Sequence, residues 1–149
     1  MSDLRELYQA VIIDHGRHPR NFKKRVDANH KKEGFNPLCG DRLTVYLQID
    51  QGRIVDACFE GSGCAISLAS ASLMTETLKG KTVMQVRALF DDFHQAVMGK
   101  TDAESSARLG KLTVLQGVSA FPARVKCATL AWHTAMAAMD NQSGSVSTE

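Results

Sequence analysis

"RLTVYLQIDQGRIVDACFEGSGCAISLASASLMTETLKG", residues 42 to 80, contains a change of period that sets the fold class. Leu43, Val45, Leu47 and Ile49 alternate with Arg42, Thr44, Tyr46 and Gln48. A period of two belongs to a strand with one apolar face. Gln51-Gly52 turns the chain into "RIVDACFEG", which predicts a β-hairpin. Beyond Gly61, Ser62 and Gly63 the alternation stops. Ala, Ser, Leu and Met take over until Lys79-Gly80, a helix with a glycine stop, and small Ala65, Ala69 and Ser72 suit close packing.

On the N-terminal side, Leu4, Leu7, Tyr8, Val11 and Ile12 have helical spacing, so residues 3 to 14 form an amphipathic helix capped by Ser2 or Asp3. Residues 16 to 37 are polar and irregular, broken by Pro19 and Pro37, with room for one short strand. On the C-terminal side, Val83, Val86, Leu89, Phe90, Phe93 and Val97 predict a helix capped by Thr82. "KTDAESSARLG" reads as an exposed linker and "KLTVLQGV" as a short helical turn. A long closing helix begins near Pro122, a residue suited to a first turn. The expected architecture is α+β: a small antiparallel three-stranded sheet with helices packed on one side. Residues 1–140 form a single domain and residues 141–149 a disordered tail.

Composition narrows the function. The chain has 149 residues, 44% hydrophobic and 23% charged, which is ordinary for a globular domain. Its 18 basic and 16 acidic residues give a net charge of +2, too small to argue for nucleic acid. Lys23, Lys24, Arg25, Lys31 and Lys32 gather locally and read as a solvated loop. Asp3, Arg5 and Glu6 interrupt any signal peptide, and no window is long enough to span a membrane, so the expected location is the cytoplasm. In a reducing compartment the four cysteines favour metal binding or thiol chemistry over structural disulfides.

Cys39, Cys64 and Cys127 sit at element boundaries or near helix starts. Cys39 lies in a loop bounded by Pro37 and Gly40, where its sulfur can approach a partner and swing away, and Asp41 offers a carboxylate two residues on. Cys64 follows Gly-Ser-Gly at a helix N-terminus, where the macrodipole and unpaired N–H groups favour thiolate. Arg124 projects from nearly the same helical face as Cys127. Three thiolates and one carboxylate suit tetrahedral Zn²⁺. Such a centre has a formal net charge of about −2, which Arg124 and Lys126 are placed to offset. The oxygen donor is the expected exchangeable position, because thiolates bind zinc more tightly. The paired C-x-x-C spacing of structural zinc modules is absent, and scattered cysteines acting as small buried hydrophobes remain the competing reading. Cys58, on the strand side shared by Ile54 and Asp56, reads as packing. His15 and His18 read as surface or helix-end residues, and Trp132 as part of an apolar helix face.

"LYQAVIIDHGRHPRN", "NPLCGD", "FEGSGCAISLASASLMTETLKGK" and "LQGVSAFPARVKCATLAW" stand in one order over nearly all of residues 7 to 132. Together they resemble the SufU branch of the IscU/NifU-type iron-sulfur cluster assembly proteins, with a SufE/NifU-like fold. The resemblance implies a zinc site made by Cys39, Asp41, Cys64 and Cys127. It also implies that Cys39 accepts persulfide sulfur from a SufS-type PLP-dependent cysteine desulfurase, with downstream iron-sulfur assembly proteins as further partners. Zinc would keep Cys39 deprotonated and unreactive until docking, when a partner side chain replaces it on the metal. The alternative implied role is a scaffold on which an iron-sulfur cluster is built and transferred, with the same cysteines as ligands. Three features depart from the IscU branch. Lys126 stands where that branch has a histidine before the last cysteine, and "FPARVK" replaces its "LPPVK" chaperone motif, with an insertion near "GKTDAESSARLG".

Overall fold

The computed structural model describes residues 2–141 and 146–147. Helix α1 spans Ser2–Arg17, followed by strands β1 (His30–Asn36), β2 (Asp41–Asp50) and β3 (Arg53–Ser62). Helices α2 (Ala65–Leu78), α3 (Val83–Val97) and α4 (Ala103–Leu109) come next. A 3₁₀ segment (Gly110–Ala120), helix α5 (Pro122–Met139) and the two-residue strand β4 (Val146–Ser147) complete the order.

β1, β2 and β3 form the expected antiparallel three-stranded sheet, with β2 in the centre. The turn between β2 and β3 places Gln51 and Gly52 at φ of 52° and 75°, the twisted hairpin turn that glycine permits. β1 is the short strand hidden in the irregular N-terminal region. It packs so closely on α5 that a Cβ at Gly34 would lie 2.1 Å from Thr134 Oγ1. The disordered tail expected over 141–149 falls mostly outside the described residues. Val146 and Ser147 are described, and they pair in parallel with Gly34 and Phe35, adding a fourth strand at the β1 edge. β1 otherwise offers unpaired backbone groups there, a pairing opportunity invisible to composition.

Leu43, Val45 and Leu47 of β2 face the helices, with Ala57 and Phe59 of β3 beside them. The register shifts between Gln48 and Ile49, which pair with Asp56 and Ile54 and leave Val55 as the extra residue. This bulge turns Ile54 into the core, away from the side of Asp56 and Cys58. Cys58 therefore lies opposite Tyr46, fully buried, and does not share a face with Ile54. Trp132 on α5 is fully buried and stacks on Phe93 of α3 with ring centroids 4.6 Å apart.

Two further expectations need correction. "KTDAESSARLG" is not a linker but contains α4. Asp102 caps it, Ser105 and Leu109 are buried, and Arg108 forks onto both carboxylate oxygens of Asp92 on α3. With only two inward residues, seven helical positions show no apolar period. The basic cluster at 23–32 is likewise not simply solvated. Arg25 pairs with Asp27 and Asp56, and Lys32 is buried in β1.

His15 is buried rather than on the surface, and its Nδ1 lies 2.7 Å from Ser72 Oγ, tying α1 to α2. The Arg20 backbone N–H donates to the same hydroxyl at 2.8 Å, so one serine anchors both the helix and the loop after it. Burial, then the charge of Arg20, lowers the His15 pKa from its ordinary 6.5. The unfolded chain therefore gains a proton near pH 6.5 that the folded chain refuses. Stability should fall as pH drops below that value, by up to about 1.4 kcal/mol per pH unit. Urea titrations between pH 7 and 5 on wild type and His15→Gln check this, and the variant should show the shallower acid limb. An identical limb would assign the effect elsewhere, such as to His133, whose pKa burial also lowers.

Candidate metal centre

The centre forms where β1 and β2 meet the N-termini of α2 and α5. Strand β1 ends at Asn36, whose backbone carbonyl accepts the N–H of Cys39 at 3.3 Å and of Gly40 at 2.9 Å. Gly40 at φ 72° completes a tight turn. This geometry lifts Cys39 into solvent and returns Asp41 to the interior as the first residue of β2.

One donor atom each from Cys39, Asp41 and Cys127 lies within 4.8 Å of the others. The Cys39 and Cys127 sulfurs are 3.2 Å apart. Sulfurs at the corners of a zinc tetrahedron stand about 3.8 Å apart, given Zn–S bonds of about 2.3 Å, so the two sulfurs would part by about 0.6 Å around zinc, and the sulfur and oxygen donors have the chemistry it takes. Asp41 and Cys127 are buried, whereas Cys39 is exposed. Cys64 comes in from α2 beside Cys127 but is not one of the three residues whose donor atoms all lie within 4.8 Å of one another. It caps the helix through its sulfur, which accepts the Ser67 N–H at 3.4 Å, and its own N–H donates to Asp41 Oδ1 at 2.9 Å. Gly63 must be a glycine here, because a Cβ would stand 2.6 Å from Asp41 Oδ1.

The electrostatics suit a cation. Burial pushes the Cys127 thiol well above its usual pKa, and hydrogen bonding with Cys39, Asp41 and Cys64 adds to the rise. Four acidic groups converging in one place resist ionising together, and a divalent cation removes that conflict. Arg124, exposed at the start of α5, feels the attraction of Cys64, then of Cys127 and Cys39, which holds its guanidinium more firmly protonated. The Lys126 side chain makes no hydrogen bond or ion pair among the described residues, although its backbone carbonyl takes part in the helix. Of the two cations expected to offset the centre, the structure therefore engages Arg124 only.

Asp41, the expected exchangeable donor, is hydrogen-bonded on both carboxylate oxygens. Its second oxygen accepts from Asn36 Nδ2 at 3.2 Å, so both carboxylate oxygens are tied to the protein. The same Asn36 nitrogen lies 3.5 Å from Cys127 Sγ. In the sequence Pro37 reads as a breaker, and no site role is assigned to Asn36 before it. The available signal was an amide at an inward position of a strand, where a core residue is the norm.

Comparison with known proteins gives the family. The NifU-like N-terminal domain family matches residues 7–140. The zinc-dependent sulfurtransferase SufU of Bacillus subtilis is 44% identical over 131 residues, covering 88% of each chain. An iron-sulfur cluster assembly scaffold protein IscU from Streptococcus pyogenes is 38% identical over 133 residues, covering 89% of this chain and 82% of its own. The crystal structure of FiSufU from Fervidobacterium islandicum AW-1 superposes with a TM-score of 0.80 at 35% identity, covering 87% of this chain and 93% of its own. No helix among the described residues is long and apolar enough to cross a membrane. Over nearly its whole length, then, the chain belongs to the NifU-like N-terminal domain family and is of the SufU/IscU type.

Proposed function

We propose that this protein serves iron-sulfur cluster assembly as a zinc-dependent sulfurtransferase. It takes persulfide sulfur on Cys39 from a SufS-type PLP-dependent cysteine desulfurase in the cytoplasm. The observation that carries the reading is the asymmetry of the centre. Asp41 and Cys127 are buried and tethered, while Cys39, in the same cluster, is exposed on a turn. Cys39, Asp41, Cys64 and Cys127 would hold the metal. When bound, zinc supplies the positive charge that keeps these sulfurs as thiolates at neutral pH.

Cys39 does the chemistry. Its thiolate attacks the terminal sulfur of the desulfurase persulfide, forming a new S–S bond at Cys39 Sγ as the enzyme's own S–S bond breaks. The enzyme thiolate leaves, and one proton is redistributed between thiolate and persulfide. Sulfur oxidation states are exchanged between partners with no external oxidant or reductant. Cys127 is buried and the half-buried Cys64 sulfur caps α2, so Cys39 is the most open of the three sulfurs to the partner. Arg124, exposed beside the sulfurs, stabilises the anionic face that the incoming persulfide must approach.

The IscU relatives support a second reading, in which the same cysteines assemble an iron-sulfur cluster and hand it on. Anaerobic reconstitution with iron, cysteine and desulfurase separates the two. Sulfur transfer predicts that zinc is retained at one per chain and that Cys39 gains one sulfur atom by mass. A stoichiometric cluster that moves to an apo-acceptor, with no persulfide on Cys39, would replace it with the scaffold role.

A further inference from the structure

We infer that Asn36 is a positioning residue of the metal centre: its carboxamide makes Asp41 and Cys127 the permanent donors and leaves Cys39 as the one free to depart. The inference rests on the metal-binding reading above and concerns a residue outside the proposed ligand set.

Asn36 is fully buried at the end of β1, on the face that meets α5. Its single side-chain nitrogen carries two N–H donors, and two acceptors lie within reach: Asp41 Oδ2 at 3.2 Å and Cys127 Sγ at 3.5 Å. Both acceptors are anionic when a metal is bound. The opposite orientation of the amide would set Oδ1 against a carboxylate and a thiolate, so the acceptors themselves fix which way it points. Oδ1 has no protein partner among the described residues. A residue needed only to fill this space would be better as leucine, which has similar volume and leaves no buried oxygen unpaired. The donors are thus the reason for an amide here.

The effect on the donors is unequal. Asp41 receives N–H groups on both oxygens, one from Asn36 and one from Cys64. Cys127 receives the other amide donor, which draws electron density from its sulfur and lowers its nucleophilicity. Cys39 receives nothing from the Asn36 side chain. Its sulfur contacts Cys127 Sγ, and its backbone N–H rests on the Asn36 carbonyl. One residue therefore shapes the Cys39 turn with its main chain and secures two other donors with its side chain. Groups that hydrogen-bond metal ligands in this way orient them and set their affinity.

The test compares wild type, Asn36→Leu and Asn36→Asp by zinc-chelator competition and by the spectrum of the Co²⁺-substituted protein. Both variants should bind zinc about 10- to 100-fold more weakly, with a shifted sulfur-to-cobalt charge-transfer band. Variants binding within threefold of wild type with unchanged cobalt spectra would overturn the inference while leaving the metal reading intact. Wild type that binds no zinc would instead remove the metal reading itself. Should neither variant fold, ¹¹³Cd-loaded wild type decides. Scalar coupling between cadmium and an Asn36 side-chain amide proton is expected across the N–H to Sγ bond. An amide without that coupling that exchanges with solvent as fast as a surface asparagine would overturn the inference.

Discussion

Cys39→Ala is expected to abolish the proposed stimulation of a cysteine desulfurase and to leave no persulfide on this protein, while the fold survives. The side chain is exposed on a turn held by the backbone, through Cys39 N–H and Gly40 N–H to the Asn36 carbonyl, and alanine keeps both bonds. A surface truncation of this kind costs the metal-free protein no more than about 0.5 kcal/mol. Its chemical cost is total, because no other described cysteine is comparably open. Cys58 and Cys127 are buried, and the Cys64 sulfur caps α2. Alanine production by the desulfurase should fall to the level of that enzyme alone, and circular dichroism of the variant should match wild type. A variant that still accelerates turnover would end the assignment of Cys39 as acceptor.

Removing zinc is expected to produce the second large effect, on stability. The proposed donors come from the turn after β1, the start of β2, the N-cap of α2 and the second turn of α5. A metal binding all four links elements distant in sequence and binds the folded chain alone. With free zinc about 1,000-fold above its dissociation constant, linkage gives about 4 kcal/mol. For a domain of this size that corresponds to a fall in Tm of about 8–16 °C on chelation. The folded core should persist without metal, because Trp132, Phe93, Leu43 and Leu47 are buried independently of the centre. Scanning calorimetry with and without a chelator makes the measurement, and superimposable transitions would rule out a metal bound by all four donors.

Legibility differed from element to element. The β2–β3 hairpin, α2, α3 and α5 were readable because each combines a clear period with a defined stop, such as Gly52, Lys79-Gly80 or Pro122. β1 was not placed, because "HKKEGFN" alternates without apolar contrast and owes its strand to pairing with β2. α4 was missed because its stability comes from capping and the Arg108–Asp92 fork rather than from an apolar face. The inward turn of Ile54 depends on a bulge that appears only once β3 is paired.

The sequence by itself determined the fold class and named Cys39, Asp41, Cys64 and Cys127 as candidates, since residue type, turn chemistry and period are local properties. The tertiary structure alone decided how those candidates differ. Burial and hydrogen bonding arise between segments as far apart as Asn36 and Cys127, and they set the donors apart, with Asp41 held on both oxygens and Cys39 exposed on its turn with its sulfur against Cys127. Donor chemistry can be read along a chain, but the number of neighbours restraining each donor is set only when the chain closes on itself.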